Sequence, residues 1–472
     1  MSTFFATIVN LFVRATNAVY ALLWHDLITL PLPGGGTLGL PLLVLLLVPT
    51  GVYFTIRTRG LPVRLLPAML RVTTEKRQTS HGSISGLQSL IVSTATRVGM
   101  GNLVGVVAAV SAGGAGAVFW MWVTALLGSA TAFIEATLAN IHKEKDPLYG
   151  GYRGGPALYI HALAEKWRGK KINKSILAVL FALSGLICWC GISQVIGNSV
   201  SSAFENAFGI PPLYSTILLV AVAALIVLRK NATVKVLDVL VPIMAGAYFF
   251  ITVFLIVKNA ALLPSVFARI FSEAFGLRQI AAGGFGAVLM NGVKRGLFSN
   301  EAGSGSAPCS AAAAESDHPA KVGLLQAFGV LIDTIIICTC TAMIMFLVPE
   351  GTLAGQSGMG LLQTAMAHHL GSFGSIFIAV ILWLFSFSTF IGVLFYARSN
   401  VAYLFGDCWG AQTAYKILAL VMLFIGGLAA YTFVWDLGDV GIGLMTIFNL
   451  IALYPMAGEA LASLKDYEAR QK

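Results

Sequence analysis

The chain has 472 residues, of which 57% are apolar and only 11% are charged, and its mean hydropathy is +0.84. A soluble domain carries about a quarter charged residues, so this composition excludes an ordinary soluble protein and is typical of a chain whose solvent is lipid. The net charge of +10 is spread over short clusters between apolar segments, which indicates membrane topology rather than a nucleic-acid-binding surface.

The chain contains about eleven apolar segments that approach the roughly 20 residues of a membrane-spanning helix. Ahead of them, residues 1–26 have mixed polarity and no evident cleavage site, which predicts a helix along the membrane surface rather than a signal peptide. The predicted spans, in chain order, are 38–56, 84–111, 116–141, 175–200, 212–229, 234–257, 279–298, 321–348, 373–397, 414–432 and 438–461. We therefore predict an all-α membrane protein with about eleven transmembrane helices.

The basic residues predict how the chain is oriented in the membrane. Lysine and arginine cluster after the first, third and fifth predicted spans, and the seventh span ends at Lys294 and Arg295. On the other side, loops 112–115 and 349–372 contain no lysine or arginine. Because short cytoplasmic loops carry the excess of positive charge, we predict a multi-pass protein of a bacterial inner membrane with its N-terminus outside and its C-terminus in the cytoplasm.

Two of the spans contain glycine clusters that ordinary helix packing does not require. The second span reads RVGMGN at residues 97–102, and the seventh reads GGFG at residues 283–286. Glycine destabilises a helix by up to about 1 kcal/mol relative to alanine, so each cluster predicts an unwound turn at membrane depth, with close helix packing as the alternative. Because the two spans are five apart, they cross the membrane in opposite directions, which is typical of an inverted-repeat transporter.

An unwound turn has a definite chemistry. It exposes backbone N–H groups that suit a substrate carboxylate and carbonyl oxygens that suit a hard cation such as sodium. Arg97 lies in the first such turn, either as a substrate anchor or as a structural charge paired with Glu135 or Asp333. Hydroxyls at Ser388 and Thr389, midway along the ninth span, either bond their own helix backbone or complete a cation site.

Four motifs are similar to those of a known family. They are RVGMGNLVGV at residues 97–106, AGGAGAVFWMWV at 112–123, RGLFSNEAGSGSAP at 295–308 and IDT at 332–334. On these motifs the chain resembles the alanine or glycine:cation symporter family (sodium:alanine symporters), from about residue 50 to about residue 460. The resemblance implies a leucine-transporter-type fold, in which a five-plus-five inverted repeat with two broken helices follows one extra N-terminal helix.

The resemblance also implies a division of the chain. An interfacial segment, the extra helix and a basic cytoplasmic loop occupy residues 1–83, and the first five-helix repeat occupies 84–258. The second, inverted repeat occupies 259–461, and a cytoplasmic tail occupies 462–472.

The site residues follow from the same resemblance. For the substrate, it implies Gly99, Met100, Gly101 and Asn102 from the first broken helix and Gly284, Phe285 and Gly286 from the second. In the fourth predicted span it implies Asn198 and the position of Ile196, where many family members carry glutamine; Gln194 is a further candidate because it shares a helix face with Asn198. For sodium, it implies the carbonyls of Ala95 and Val98 with the hydroxyls of Ser388 and Thr389, since oxygen-only coordination suits that ion.

These observations predict a secondary active transporter that carries alanine or glycine into the cell together with sodium. Met100 and Ile196 make the predicted pocket apolar, which disfavours a polar substrate side chain, but Gln194 keeps a glutamine or broader neutral amino acid symporter open. An ion channel would need a continuous polar pore or a repeated filter, and neither is visible in the sequence. The sequence also has no HExxH or GxSxG motif, so we predict that the protein is not an enzyme. Beyond sodium and the lipid bilayer, we predict no cofactor and no nucleic-acid partner.

Overall fold

The computed structural model describes residues 2–32, 36–75, 84–229, 233–275, 284–349, 351–429 and 431–471. Its helices, in chain order, are α1 (Ser2–Trp24), α2 (Leu42–Arg57), α3 (Leu61–Arg64), α4 (Leu66–Thr74), α5 (Gly86–Thr96), α6 (Val106–Gly113), α7 (Gly116–Ile141), α8 (Pro156–Arg168), α9 (Ile176–Phe208), α10 (Pro212–Val227), α11 (Thr233–Lys258), α12 (Leu263–Ala274), α13 (Phe285–Asn300), α14 (Pro308–Ala313), α15 (Pro319–Leu331), α16 (Thr339–Phe346), α17 (Met359–Leu370), α18 (Ser372–Phe405), α19 (Trp409–Leu428) and α20 (Tyr431–Arg470). The short strands are β1 (Asp26–Leu32), β2 (Gly36–Pro41), β3 (Ile84–Ser85), β4 (Glu144–Lys145), β5 (Tyr152–Arg153) and β6 (Ala314–Glu315).

The helices confirm the prediction of an all-α membrane protein. Eight helices of the described chain are long and apolar enough to cross a membrane, and α2 and α10 are shorter apolar helices at two further predicted spans. The remaining predicted span, 279–298, overlaps α13, but the chain is described there only from residue 284. Every predicted span therefore contains a helix, while the count of eleven membrane crossings stays a prediction.

The first repeat begins with the predicted broken helix. The Ser85 hydroxyl accepts from the Gln88 backbone while the Gln88 side chain accepts from the Ser85 N–H, and this capping box starts α5. Within the segment Arg97–Gly105, Val98 (φ −75°, ψ 66°) and Gly99 (φ −138°, ψ −145°) are not helical, and helix then continues into α6. The break predicted from the RVGMGN cluster is thus present.

The second broken helix is interrupted later than the glycine cluster predicts. Helix α13 runs from Phe285 to Asn300, Glu301 then adopts a left-handed conformation (φ 58°), and helix resumes only at Pro308 in α14. Gly303 (φ 86°) and Gly305 (φ 82°) supply the conformations that this turn requires. Phe285 and Gly286 begin α13, and residues 276–283 lie outside the described chain, so a break at residues 283–286 stays a prediction.

The two broken helices run in opposite directions and are joined at one end. Strand β3, which precedes α5, pairs with β6, which follows α14, so the start of the first broken helix meets the end of the second. The Ser89 hydroxyl donates to the Ser310 carbonyl at 2.9 Å and ties the same two ends. The first broken helix is followed by the apolar helices α7, α9, α10 and α11, and the second by α15 with α16, α18, α19 and α20, which is the inverted five-plus-five arrangement.

The basic-residue pattern predicted that the seventh span ends at Lys294 and Arg295, but α13 continues past both residues to Asn300. Both are buried in α13 and form ion pairs with Asp439 of α20, at 2.7 and 3.3 Å. The Lys294 ammonium also donates to the Tyr20 hydroxyl of α1 at 2.6 Å, and the Arg295 guanidinium lies 4.0 Å from the centre of the Trp435 ring. These contacts offset the cost of burying two cations, so the predicted orientation rests on the other basic clusters.

The last helix continues past the predicted end of the second repeat. Helix α20 runs from Tyr431 to Arg470, so the predicted tail 462–472 is mostly a continuation of the final span. Its side chains still pack there, because Leu464 and Tyr467 are buried. Helix α20 is therefore continuous through residue 461, and the predicted divisions of the chain stay predictions.

Candidate functional site

The unwound turn of the first broken helix is fastened by one side chain, Asn102. Its Oδ1 atom accepts from the Gly99 N–H at 3.0 Å, and its Nδ2 atom donates to the Asp333 carboxylate at 2.7 Å. Asp333 accepts in turn from the Ser299 hydroxyl at 2.9 Å and the Thr334 hydroxyl at 2.8 Å. Since Ser299 belongs to α13, this buried network joins the first turn to the second broken helix.

The predicted cation ligands from two helices come together beside this turn. The Ser388 and Thr389 hydroxyls of α18 lie 3.2 and 3.4 Å from the Ala95 carbonyl of α5. The Thr389 oxygen also accepts from the Met100 N–H at 3.2 Å. Val98 lies in the same unwound turn, so three of these four residues are in direct contact and the fourth is adjacent in the turn. The oxygen-only donor set suits a hard monovalent or divalent cation.

The two glycines of the turn allow close approach of neighbouring helices. A Cβ atom on Gly99 would collide with the Thr389 hydroxyl, and one on Gly101 would lie 3.2 Å from the Ser299 Cα atom. Met100, between them, is buried. Gly101 therefore contacts α13 in this structure, and close helix packing, the alternative considered for this cluster, accounts for its lack of a side chain.

Arg97 is a fully buried charge beside the turn. Its Nη1 atom donates to the carbonyl and side-chain oxygens of Gln326, each at 3.1 Å, whereas its Nε and Nη2 atoms have no hydrogen-bond partner among the described residues. Its charge acts on three buried carboxylates, those of Glu135, Glu301 and Asp333. Glu135 and Asp333 are the partners predicted from the sequence. They interact with Arg97 through electrostatic attraction and not through a direct hydrogen bond.

The second broken helix contributes residues that sequence reasoning missed. The Tyr396 hydroxyl of α18 donates to the Glu301 carboxylate at 3.3 Å and lies 2.6 Å from the Thr96 hydroxyl. Glu135 accepts from the Gly303 N–H at 3.2 Å, which anchors the same turn to α7. An ionisable side chain inside a motif of small residues was the available signal for Glu301.

The predicted substrate residues of α9 face another helix, α19. Gln194 contacts the Met422 sulfur at 3.3 Å, and the Asn198 Nδ2 atom donates to the Ala429 carbonyl at 2.7 Å. The Gln194 Oε1 and Asn198 Oδ1 atoms are buried without a hydrogen-bond partner in the described part of the chain. Asn198 lines a polar cavity of about 330 Å³ that is shared with the segment 355–360, and Ile196 is buried. These side chains are thus not seen in contact with the unwound turn.

Gly284, Phe285 and Gly286 do not join the site either. They lie at the start of α13, a helix of 16 residues, which places them roughly 24 Å along its axis from the break that follows Asn300. A Cβ atom on Gly286 would lie 3.1 Å from the backbone nitrogen of Gly39 in β2. The glycine there allows the N-terminal hairpin to pack against α13, and the three residues lie at the other end of α13 from the break after Asn300.

Comparison with known proteins places this arrangement among transporters. Residues 34–472 match the sodium:alanine symporter family. The chain is 42% identical over 435 residues to the probable sodium/glutamine symporter GlnT of Bacillus subtilis, covering 91% of this chain and 88% of that protein. It is 39% identical over 447 residues to the putative sodium/proton-dependent alanine carrier protein YrbD of the same organism, covering 91% and 90%.

Among solved structures, the fold is similar to that of a manganese transporter mutant from Eremococcus coleocola. The TM-score is 0.51, the sequence identity is 15%, and the match covers 82% of this chain and 81% of that one. At that identity the likeness concerns the fold alone. Together with the motifs around both breaks and the match over residues 34–472, the comparisons show that the chain belongs to the sodium:alanine symporter family.

Proposed function

We propose that this symporter carries a small neutral amino acid, alanine or glycine, into the cell together with sodium. The observation that supports this most directly is the junction of α5, its unwound turn and α18. There the Ser388 and Thr389 hydroxyls lie within 3.4 Å of the Ala95 carbonyl oxygen, beside the unwound turn. Such a junction offers oxygen ligands for a cation on one side and N–H donors for a carboxylate on the other.

Thr389 gives this arrangement a means of coupling the two cargoes. Its hydroxyl oxygen lies near the Ala95 carbonyl and also accepts from the Met100 N–H in the unwound turn. A cation bound by this oxygen would therefore help to set the position of the backbone that meets the substrate. In this proposal sodium stabilises the turn in the conformation that binds the amino acid.

The size and polarity of the substrate are the finer part of the proposal. Met100 is buried and apolar, and an apolar lining accepts a methyl group while leaving an amide without a partner. The competing candidate is glutamine, because a relative named a probable sodium/glutamine symporter is 42% identical to this chain. The unpartnered Gln194 Oε1 atom would be available to an amide if the substrate reached α9.

Uptake by purified protein in liposomes tests the proposal. Labelled alanine should accumulate only under an inward sodium gradient, and unlabelled alanine and glycine should compete better than glutamine. The matched variant is Gln194→Leu, which should leave this ranking unchanged. If glutamine competes better than alanine, and loses that advantage in Gln194→Leu, then the substrate is glutamine and Gln194 contacts its side chain.

Replacing Thr389 with alanine should weaken the cation site while sparing the fold. The loss of one oxygen ligand is expected to cost about 1–3 kcal/mol, so the sodium concentration for half-maximal uptake should rise roughly 5- to 150-fold. The matched control is Ser386→Ala on the same helix, because the Ser386 hydroxyl is buried without a hydrogen-bond partner among the described residues. Unchanged sodium dependence in Thr389→Ala, or equal uptake driven by protons without sodium, would contradict the assignment.

The proposed orientation, with the N-terminus outside and the C-terminus in the cytoplasm, can be tested with a native cysteine. Cys408, between α18 and α19, is exposed, and the other five cysteines are buried. An impermeant maleimide added to intact cells should label Ser357→Cys, which lines the outer cavity near Asn198, but not the parent protein. Permeabilised cells should label Cys408, and Cys408→Ser should remove that signal. Labelling of the parent in intact cells would reverse the orientation.

A further inference from the structure

A basic cavity lies where α2 ends against the last part of α20. Its volume is about 550 Å³. Its lining residues are Arg57, Thr58, Arg59, Arg64, Gly458, Leu461, Ala462, Leu464, Lys465 and Glu468. None of these lining residues belongs to the candidate site, so the proposed transport function does not explain the positive charge of the cavity.

The cavity carries an excess of positive charge. Four cationic side chains line it, against the single carboxylate of Glu468, which forms an ion pair with Arg64 at 2.8 Å. Arg57 donates to the neutral Tyr53 hydroxyl at 3.0 Å. In the part of the chain that the structure describes, the Arg59 and Lys465 side chains form no ion pair or side-chain hydrogen bond, and both are exposed. The cavity is thus suited to an anion.

The backbone at the end of α2 is organised around the same residues. Arg59 has a left-handed conformation (φ 56°), and besides Glu301 no other non-glycine residue of the described chain has a positive φ. Arg64 holds this turn by donating to the carbonyls of Thr58 and Arg59, at 3.0 and 3.2 Å. A side chain is sterically unfavourable in this region, and such strain recurs at binding sites.

The surface beside the cavity is apolar and exposed. Ile56 and Val63 are 69% and 79% exposed, although both are aliphatic. The rings of Tyr53 and Tyr454 lie 5.3 Å apart, and tyrosine is enriched where a membrane meets water. Cations beside exposed aliphatic side chains and tyrosines are what the boundary between headgroups and acyl chains favours.

We propose that this cavity binds the phosphodiester headgroup of an anionic phospholipid. Its unpaired cations would meet the phosphate, and the adjacent aliphatic surface would meet the acyl chains. Basic pockets between membrane helices on the cytoplasmic side are suited to such headgroups, with each nearby lysine or arginine contributing about 1 kcal/mol. A soluble phosphate ester would match the charge but would leave the exposed aliphatic surface unused.

Native mass spectrometry of the purified full-length protein tests the proposal. Protein from mixed micelles with equal phosphatidylglycerol and phosphatidylcholine, carrying the same acyl chains, should retain phosphatidylglycerol preferentially. Arg59→Gln/Lys465→Gln should lower that retention roughly 10- to 30-fold. The matched control is Lys170→Gln/Lys171→Gln, which removes two exposed lysines outside the cavity and should change nothing.

Three outcomes would overturn the proposal. The first is equal retention of the two lipids by the parent protein. The second is unchanged retention in Arg59→Gln/Lys465→Gln, or an equal loss in the lysine control. The third is displacement of the lipid by excess glycerol phosphate, which would identify the ligand as a soluble anion. None of these results depends on the transported substrate, so the proposed transport function is tested separately.

Discussion

Arg97→Met should abolish transport and sharply reduce the stability of the protein. The guanidinium is fully buried, and its charge acts on the buried carboxylates of Glu135, Glu301 and Asp333. Removing the cation takes away a charge that stabilises these carboxylates in a medium of low dielectric constant, and we expect a cost of a few kcal/mol. The measurement is thermal unfolding in detergent, followed by size-exclusion chromatography, together with alanine uptake in liposomes.

A second substitution separates the loss of charge from the loss of packing. Arg97→Met/Glu301→Gln removes one carboxylate along with the cation and should recover part of the lost thermal stability. Gln326→Leu removes the side-chain oxygen that accepts from the Arg97 Nη1 atom but keeps the Gln326 carbonyl and the cation, so its effect should be smaller than that of Arg97→Met. An Arg97→Met protein as stable as the parent would show that the cation does not hold this centre together.

Asn102→Asp should be almost as damaging, although the side chain keeps its size. The Asn102 Nδ2 atom donates to the Asp333 carboxylate at 2.7 Å, so the substitution places two carboxylates in contact. It also removes the donor that joins the unwound turn to residues 332–338. We expect a loss on the order of 3 kcal/mol, which corresponds to roughly a hundredfold lower uptake.

Exchanging the two groups provides the control. In Asn102→Asp/Asp333→Asn, the amide at 333 donates to the carboxylate at 102, and the carboxylate still accepts from the Gly99 N–H. The exchange should therefore restore a substantial part of the uptake that Asn102→Asp loses. Asp333→Asn alone should not raise uptake above that of the parent protein. If the double variant is no better than Asn102→Asp, the contact matters for another reason, such as a role of the Asp333 charge with Arg97.

Much of the fold could be predicted because lipid makes the sequence simple to interpret. Each predicted span contains a helix since backbone polar groups in lipid must be satisfied within the segment. The first break could be predicted because RVGMGN combines two glycines with Arg97, and none of these is favourable in a lipid-facing helix. The cation ligands on α5 and α18, which the family resemblance implied, also lie together, although no local pattern pairs these two helices.

The rest depended on contacts between distant parts of the chain. Glycine at 284 and 286 predicted a break, but Gly286 is there for the approach of β2, a packing partner that no local pattern reveals. Lys294 and Arg295 resembled a cytoplasmic boundary because their partner, Asp439, is more than a hundred residues away. The break seen after α13 begins at Glu301. Its left-handed backbone and its carboxylate contacts arise only in the folded protein, so the sequence did not reveal them.

The pairing of β3 with β6 has a consequence for how cargo leaves the protein. Two backbone strands and the Ser89–Ser310 contact clasp the ends of the broken helices together, so an exit cannot widen between them unless the clasp opens. Helix α5 also meets α18, where the Ala95 carbonyl lies beside the Ser388 and Thr389 hydroxyls. Parting those helices separates the oxygens proposed to hold sodium. Movement between α5 and α18 and dissociation of the proposed ion are therefore coupled.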